Sequence, residues 1–407
     1  MRTTYRSLFR IPEFTPLFLT SGAQVAAQTM SGLALGTLVY RATDSPLLSA
    51  LSMFGPSLAQ VLGATTLLSA ADRLPPRATM TGTALVFAAG TALLALPAPL
   101  WTLFALVLAL GLVASLGGGV RWGLLNEILP KDGYILGRSV FNMMNGVTQI
   151  AGYAAGGVLI ALLSPRGTLL TAAALYATAA AVARLTLTAR PPRSAGRPSI
   201  RATWHTNRTL LSSGPRRHLY LALWLPNGLI VGCESLYVSY APEHAGLLFA
   251  CAALGMLTGD VAVARLAGPA LRARLGVPLL LLLAAPYLLF AFHPRPSLAA
   301  ALAALASVGF GASLLQQERL MALTPPELAG HALGLHSSGM LTAQGVCAAL
   351  AGATAQLTSP AAATAAMAAA STAVTLVLAR SLRPTNPRPS APTPPGAPGA
   401  PTAPRTG

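Results

Sequence analysis

R-P-P-R-S-A-G-R-P-S-I-R-A-T-W-H-T-N-R-T-L-L-S-S-G-P-R-R, running from Arg190 to Arg217, carries seven arginines and no acid. It is the only long polar interval between Phe14 and Arg380, and the sequence on either side is almost unbroken apolar residues. A basic hinge between two apolar halves is a statement about membrane topology. The whole chain is 54% hydrophobic and 9% charged, with mean hydropathy +0.61. Soluble domains carry about 25% charged residues, so a chain this poor in charge cannot cover a water-facing surface. The apolar residues come in runs of about 20 or more, the length that crosses a hydrocarbon core as a helix. The alternating segments of about 10 residues that mark a membrane barrel are not visible.

Outward from the hinge, the expectation is an all-α integral membrane protein with twelve transmembrane helices in two pseudo-symmetric six-helix bundles. The spans read 14–40, 46–71, 79–97, 100–123, 138–163 and 167–188, then 218–240, 245–264, 276–293, 297–320, 330–357 and 361–380. Breaks between them carry turn residues or charge, as at Asp44-Ser45-Pro46, Pro165-Arg166-Gly167 and Pro294-Arg295-Pro296. The domains are then 1–188, a basic cytoplasmic linker 189–217, 218–380, and a Pro-rich disordered cytoplasmic tail 381–407. The first apolar stretch is too long for a cleaved signal and reads as a retained span.

With the N-terminus inside, every Lys and Arg except Arg41, Arg166 and Arg295 faces the cytoplasm. That bias places both termini and the hinge in the cytoplasm of a cell (inner) membrane protein. The net charge of +17 is therefore a topology signal, since the arginines lie between spans and form no folded nucleic-acid face. The halves also look like copies. At a constant offset of 195, Pro130 meets Pro325, Gln149 meets Gln344, Gly157 meets Gly352, and Ser164-Pro165 meets Ser359-Pro360. The proline and glutamine matches carry more information than the glycine one in so Ala/Gly/Leu-rich a chain. A parallel repeat of this kind puts a substrate path at the interface of the halves, near the midplane.

This layout resembles the major facilitator superfamily. The loop S-A-A-D-R-L-P-P-R is similar to that family's signature between helices two and three, with Asp72, Arg73 and Arg77 at the matching positions. The resemblance implies a gating role for these three. In the fifth span G-Y-A-A-G-G, with Gly152, Gly156 and Gly157, resembles the antiporter motif of drug exporters, with Tyr153 in place of its proline. Within the family, exporters of the macrolide and enterobactin type are the resemblance. Independently of it, an Asp-Arg pair at a helix end either makes interhelical ion pairs that hold one state closed or is a solvated turn.

Two acids lie inside spans, Glu234 and Asp260. A charge at the bilayer centre costs about 2.5–3.5 kcal/mol on insertion scales, so each calls for a reason. Both are candidates for proton coupling. The competing readings are a structural hydrogen bond for Glu234 and an ion pair with nearby Arg265 for Asp260. Glu318-Arg319 reads as an adjacent interfacial pair. Polar stripes recur at helical spacing: Ser21, Gln24, Gln28 and Ser31 in the first span, and Asn142, Asn145, Gln149 and Tyr153 in the fifth. Asn227 shares a face with Glu234, and His336 and Gln344 sit in the eleventh span. Such groups either glue helices together or line a substrate cavity.

Cys233, Cys251 and Cys347 fall in apolar spans and read as small buried hydrophobes. No Walker A motif, metal-binding cluster or nucleophile motif is present, so an enzyme is not expected and no cofactor or metal is implied. The sequence therefore predicts a secondary transporter, with proton-coupled efflux of a small amphipathic compound by alternating access as the favoured mode. Uptake or facilitated exchange is the alternative, and a non-transporting membrane sensor or assembly subunit the alternative outside transport. Expected partners are a small-molecule substrate, protons and the lipid bilayer, with the chain acting as a monomer.

Overall fold

The computed structural model describes residues 5–71, 75–129, 133–191, 200–266 and 268–382. Among them every regular element is helical. That is the outcome lipid enforces on apolar segments, because a helix satisfies its own backbone groups. The first half runs α1 (Phe14–Thr43), α2 (Pro46–Ala71), α3 (Pro76–Leu94) and α4 (Leu100–Ile128). One helical stretch, Tyr134–Thr186, then breaks at Ser164 into α5 (134–163) and α6 (165–186). The second half runs α7 (Gly214–Ser235, continued by Tyr237–Tyr240), α8 (Ala245–Leu266), α9 (Pro269–Leu288) and α10 (Pro296–Ser307, continued through a 3-10 turn into Ala312–Ala322). It ends with α11 (Ala329–Leu357) and α12 (Pro360–Ala379).

Nine stretches among the described residues are long and apolar enough to cross a membrane, and one of them holds both α5 and α6. With α1 and α3, 30 and 19 residues long and more diluted by polar side chains, the twelve-helix layout is complete. Prolines open several of the helices: Pro46 at the predicted start of its span, and Pro76, Pro269, Pro296 and Pro360 just ahead of the predicted starts. Proline is suited to the first turn, where its missing N–H would have had no partner. Most spans therefore start a few residues earlier than the sequence predicts. The linker differs more, since a helix, Ile200–Ser212, occupies the polar interval.

The repeat is visible in matching local chemistry. Ser164 Oγ accepts from Gly167 N at 3.4 Å, and its counterpart Ser359 Oγ accepts from Ala362 N at 3.1 Å. Each serine caps the helix that its proline opens. Ser164 makes this turn at φ 83°, a left-handed value that a serine adopts only under strain. At the other end, the carbonyls of Leu187 and Leu382, also 195 apart, each accept from an arginine. The donors are Arg77 Nη1 at 3.3 Å and Arg319 Nη1 at 2.5 Å.

The halves meet along two antiparallel seams, α5 on α8 and α11 on α2. At the end far from the linker both seams close on glycine. A Cβ on Gly157 would lie 3.1 Å from Gly246 Cα, and one on Gly352 would lie 2.7 Å from Leu47 Cα. Ser45 Oγ reaches Gln356 Oε1 at 2.8 Å beside the second contact. The glycine match at offset 195, which composition alone makes uninformative, thus marks the paired close approaches of the two halves. Small residues let intramembrane helix backbones approach this closely.

Candidate functional site

Two helix seams inside the halves organise the candidate residues. α1 and α5 pack in parallel, since Gly22 faces Met144 and Thr148 while Met30 faces Gly156. This register sets Ser21 level with Asn145, Gln24 with Gln149, and Gln28 with Tyr153 along the two helices. Gln24, Asn145, Gln149 and Tyr153 are half-buried, and Gln28 and Asn142 are exposed. Asn145 Oδ1 is fully enclosed and has no hydrogen-bond partner. Among the described residues, no hydrogen bond joins the side chains of the two stripes. Gly152 and Gly156 face α1, with Gly152 against Thr29, while Gly157 faces α8. The motif therefore serves two contacts at once.

The seam of α7 on α11 is built differently. Gly228 and Gly232 lie on the backbone of Ala343 and Cys347, and Gly339 lies against the Trp224 ring. At this distance Gln344 Nε2 donates to Asn227 Oδ1 at 2.9 Å. Trp224 Nε1 donates to the His336 carbonyl at 3.1 Å. His336 is buried, and its Nδ1 has no partner.

Glu234 ends α7 just short of the break at Leu236. It is 8% exposed, and its Oε1 has no hydrogen-bond partner. An aromatic chain links α5 of the first half to the second half at this level. Tyr153 stacks on Phe249 at 4.8 Å between ring centres, Phe249 meets Tyr237 edge-on at 4.9 Å, and the Tyr237 and Tyr287 hydroxyls are hydrogen-bonded to each other. The sequence offers Asn227, Cys233 and Ser235 as the neighbours of Glu234; the tyrosines come from three different helices and have no sequence signature.

Asp260 is half-buried on α8, one turn nearer the linker end than Leu257, which faces Gly146. That register carries Asn142 and Met143 alongside it. Among the described residues it forms no ion pair with Arg265. Glu318 and Arg319 do not pair with each other either. Glu318 reaches Arg272 at 3.9 Å, and Arg319 turns to the Leu382 carbonyl. Adjacent residues on a helix point about 100° apart, which favours partners on other elements.

At the linker end the sequence reading missed a cluster. Glu13 accepts from Arg190 Nη1 at 2.6 Å, from Thr188 N at 3.2 Å and from the Thr188 hydroxyl. Arg190 Nε also lies 3.8 Å from Glu127 Oε2. One arginine thus joins the start of α1, the end of α4 and the exit from α6. Burial pushes the Glu13 carboxyl up, but the bonds from Thr188 and Arg190 and the Arg190 charge outweigh it and hold it below its ordinary value. The signal was the scarcity of acid at this end. Of the gating candidates, Arg77 is accounted for by its bond to Leu187, and Asp72 and Arg73 lie outside the described residues.

At the far end a cavity of about 270 Å³ opens between the halves, lined by Thr37 and Arg41 of α1, Gly157 of α5, Glu243 and Gly246. Two bundles joined by glycine seams, with buried polar groups between them, form a transporter architecture. The profile of the Major Facilitator Superfamily matches residues 17–244, more than half of the chain. The chain belongs to the major facilitator superfamily. As a member it is a multi-pass membrane transporter, not an enzyme.

Solved structures agree with this superfamily fold. A POT family transporter in complex with a thioalcohol-conjugated peptide superposes with a TM-score of 0.74 at 12% identity, over 90% of this chain and 95% of that one. The nucleoside transporter NupG gives 0.72 at 13% identity, over 91% and 99%. A bacterial homolog of the human lysosomal transporter Spinster, inward-facing and unoccupied, gives 0.70 at 13%, over 93% and 97%. At such identities the likeness is one of fold. No curated protein matches the sequence.

Proposed function

We propose that this superfamily member is a proton-coupled exporter of a small amphipathic organic compound, of the kind carried by macrolide and enterobactin exporters. The linker end faces the cytoplasm of the cell membrane, and the halves 1–188 and 218–380 rock about the site. The observation that carries the reading is Glu234: a buried carboxyl near the end of α7 with an unpartnered oxygen. Rocking the halves apart at the far end uncovers this group to the outside, and rocking them together returns it toward the inside. A proton taken up outside and released inside then drives substrate outward. The open stripes on α1 and α5, with Gln24, Gln28, Asn142, Asn145, Gln149 and Tyr153, form the substrate surface, and Asp260 guards its cytoplasmic end. Asp72, Arg73 and Arg77 act at the cytoplasmic gate.

The test is transport by the monomeric protein in vesicles with an imposed pH difference, across a panel of amphipathic drugs and siderophores. Efflux should scale with the pH difference in the wild type. Glu234→Gln should lose that dependence and keep pH-independent exchange. A Gln variant that still concentrates substrate in proportion to the pH difference removes Glu234 from the coupling role. Flux in the opposite direction makes the protein an importer.

A further inference from the structure

The helix Ile200–Ser212 lies in the linker, on the route from one half to the other. Its inner face is anchored: Leu210 is fully buried and Leu211 packs on the core of the second half. Arg216 Nη2 ties the helix end to the start of α7 by donating to the Thr209 carbonyl at 3.1 Å. Its outer face is formed by Trp204, His205, Arg208, Thr209 and Ser212, all exposed. Trp204 is 72% exposed, although an indole in a water-facing position gains nothing. Arg208 stands one turn after it on the same face. No acid occurs from Arg190 to Arg217, so nothing in the linker itself balances this face.

Only Ser213 separates the helix from α7, so it directly adjoins a helix long and apolar enough to cross a membrane. An indole beside a guanidinium, with positive charge and no acid, is complementary to an anionic lipid surface, where tryptophan sits at headgroup depth and arginine meets phosphate. We infer that the linker helix docks on anionic lipid headgroups through Trp204 and Arg208, so that the tether between the two halves is pinned to the bilayer. This goes beyond the transport reading and is independent of which residue couples protons and of which side is cytoplasmic.

The full chain is placed in nanodiscs of phosphatidylcholine with increasing phosphatidylglycerol, and tryptophan emission is quenched with brominated acyl chains. The quenching lost on Trp204→Phe is the share of Trp204. That share should rise with the phosphatidylglycerol fraction and fall in high salt. Arg208→Glu should raise the fraction needed for half the effect roughly fivefold, whereas Arg208→Lys should stay within about twofold of wild type. A Trp204 share equal in neutral and anionic discs overturns the inference, as does an unchanged curve for Arg208→Glu. Protection of Trp204 from a soluble quencher by an RNA homopolymer or an acidic protein, with no response to phosphatidylglycerol, overturns it as well and gives the face to that partner.

Discussion

The seam of α1 on α5 and the seam of α7 on α11 occupy equivalent places in the two halves, yet their matching glutamines differ. On α7 and α11, Asn227 and Gln344 satisfy each other. On α1 and α5, Gln24 and Gln149 stand at the same level without a mutual bond among the described residues, and Asn145 Oδ1 is enclosed without a partner. Gln149 and Gln344 are counterparts in the repeat, so the same residue is spent on structure in one half and left available in the other. A transporter built from two copies can thus hold one copy rigid and offer the other to substrate. The acid cuts across this difference, since Glu234, with an unpartnered Oε1, belongs to the half in which the glutamine is paired.

The largest expected effect tests that acid. Glu234→Gln should bring gradient-driven transport to background while pH-independent exchange persists, read in vesicles with and without an imposed pH difference. Next comes the closure of the far end at Gly157 and Gly246. Gly157→Leu forces a side chain into Gly246, so the far end should fail to close and transport should fall roughly tenfold. Labelling of a cysteine placed at Thr37 should speed up in the same variant. Gly32→Leu is the control, because nothing lies within 4 Å of a Cβ there.

The comparison itself is broken or sharpened by a pair of alanines. Gln149→Ala should raise the apparent KM about tenfold, the cost of one hydrogen bond to substrate, and leave the melting temperature alone. Asn227→Ala should do the reverse. It costs stability, about 0.6 kcal/mol for an intramembrane hydrogen bond, and leaves KM unchanged. If Gln149→Ala destabilises the fold and Asn227→Ala weakens substrate binding, the roles of the seams are exchanged.

The smallest effect lies outside the membrane, at Glu13. Its carboxyl sits below its ordinary value in the folded protein, so its contribution is present above that ordinary value and is lost as pH falls through the lowered one. Glu13→Gln should therefore lower stability at neutral pH and flatten the acid limb of a melting-temperature profile. A wild-type acid limb in this variant would leave the contact with Arg190 as a surface pair of no consequence.

Much of the fold was legible because lipid leaves a chain few options. Apolar runs of spanning length become helices whatever their neighbours do, and the arginine asymmetry and the repeat offset sort those helices into two related halves. The Ser-Pro match reads as a sign of the repeat, and Ser164 and Ser359 make the same capping bond. Helix starts were misplaced because proline, read as a breaker, is equally a first-turn residue. The linker helix escaped because a short amphipathic segment rich in threonine and arginine carries little apolar signal.

By itself the sequence determined the number and order of the spans, the basic linker, and which side chains are too polar to face lipid. These are one-dimensional properties, set by length, hydropathy and charge along the chain. Only the tertiary structure decided what those polar side chains do. Whether Asn227 meets Gln344, whether Gln149 stays open, and which ring stacks on Tyr153 depend on interhelical distances of a few ångströms. Glycines and their partners on other helices set those distances, and residues far apart in the chain share no local pattern from which they could be read.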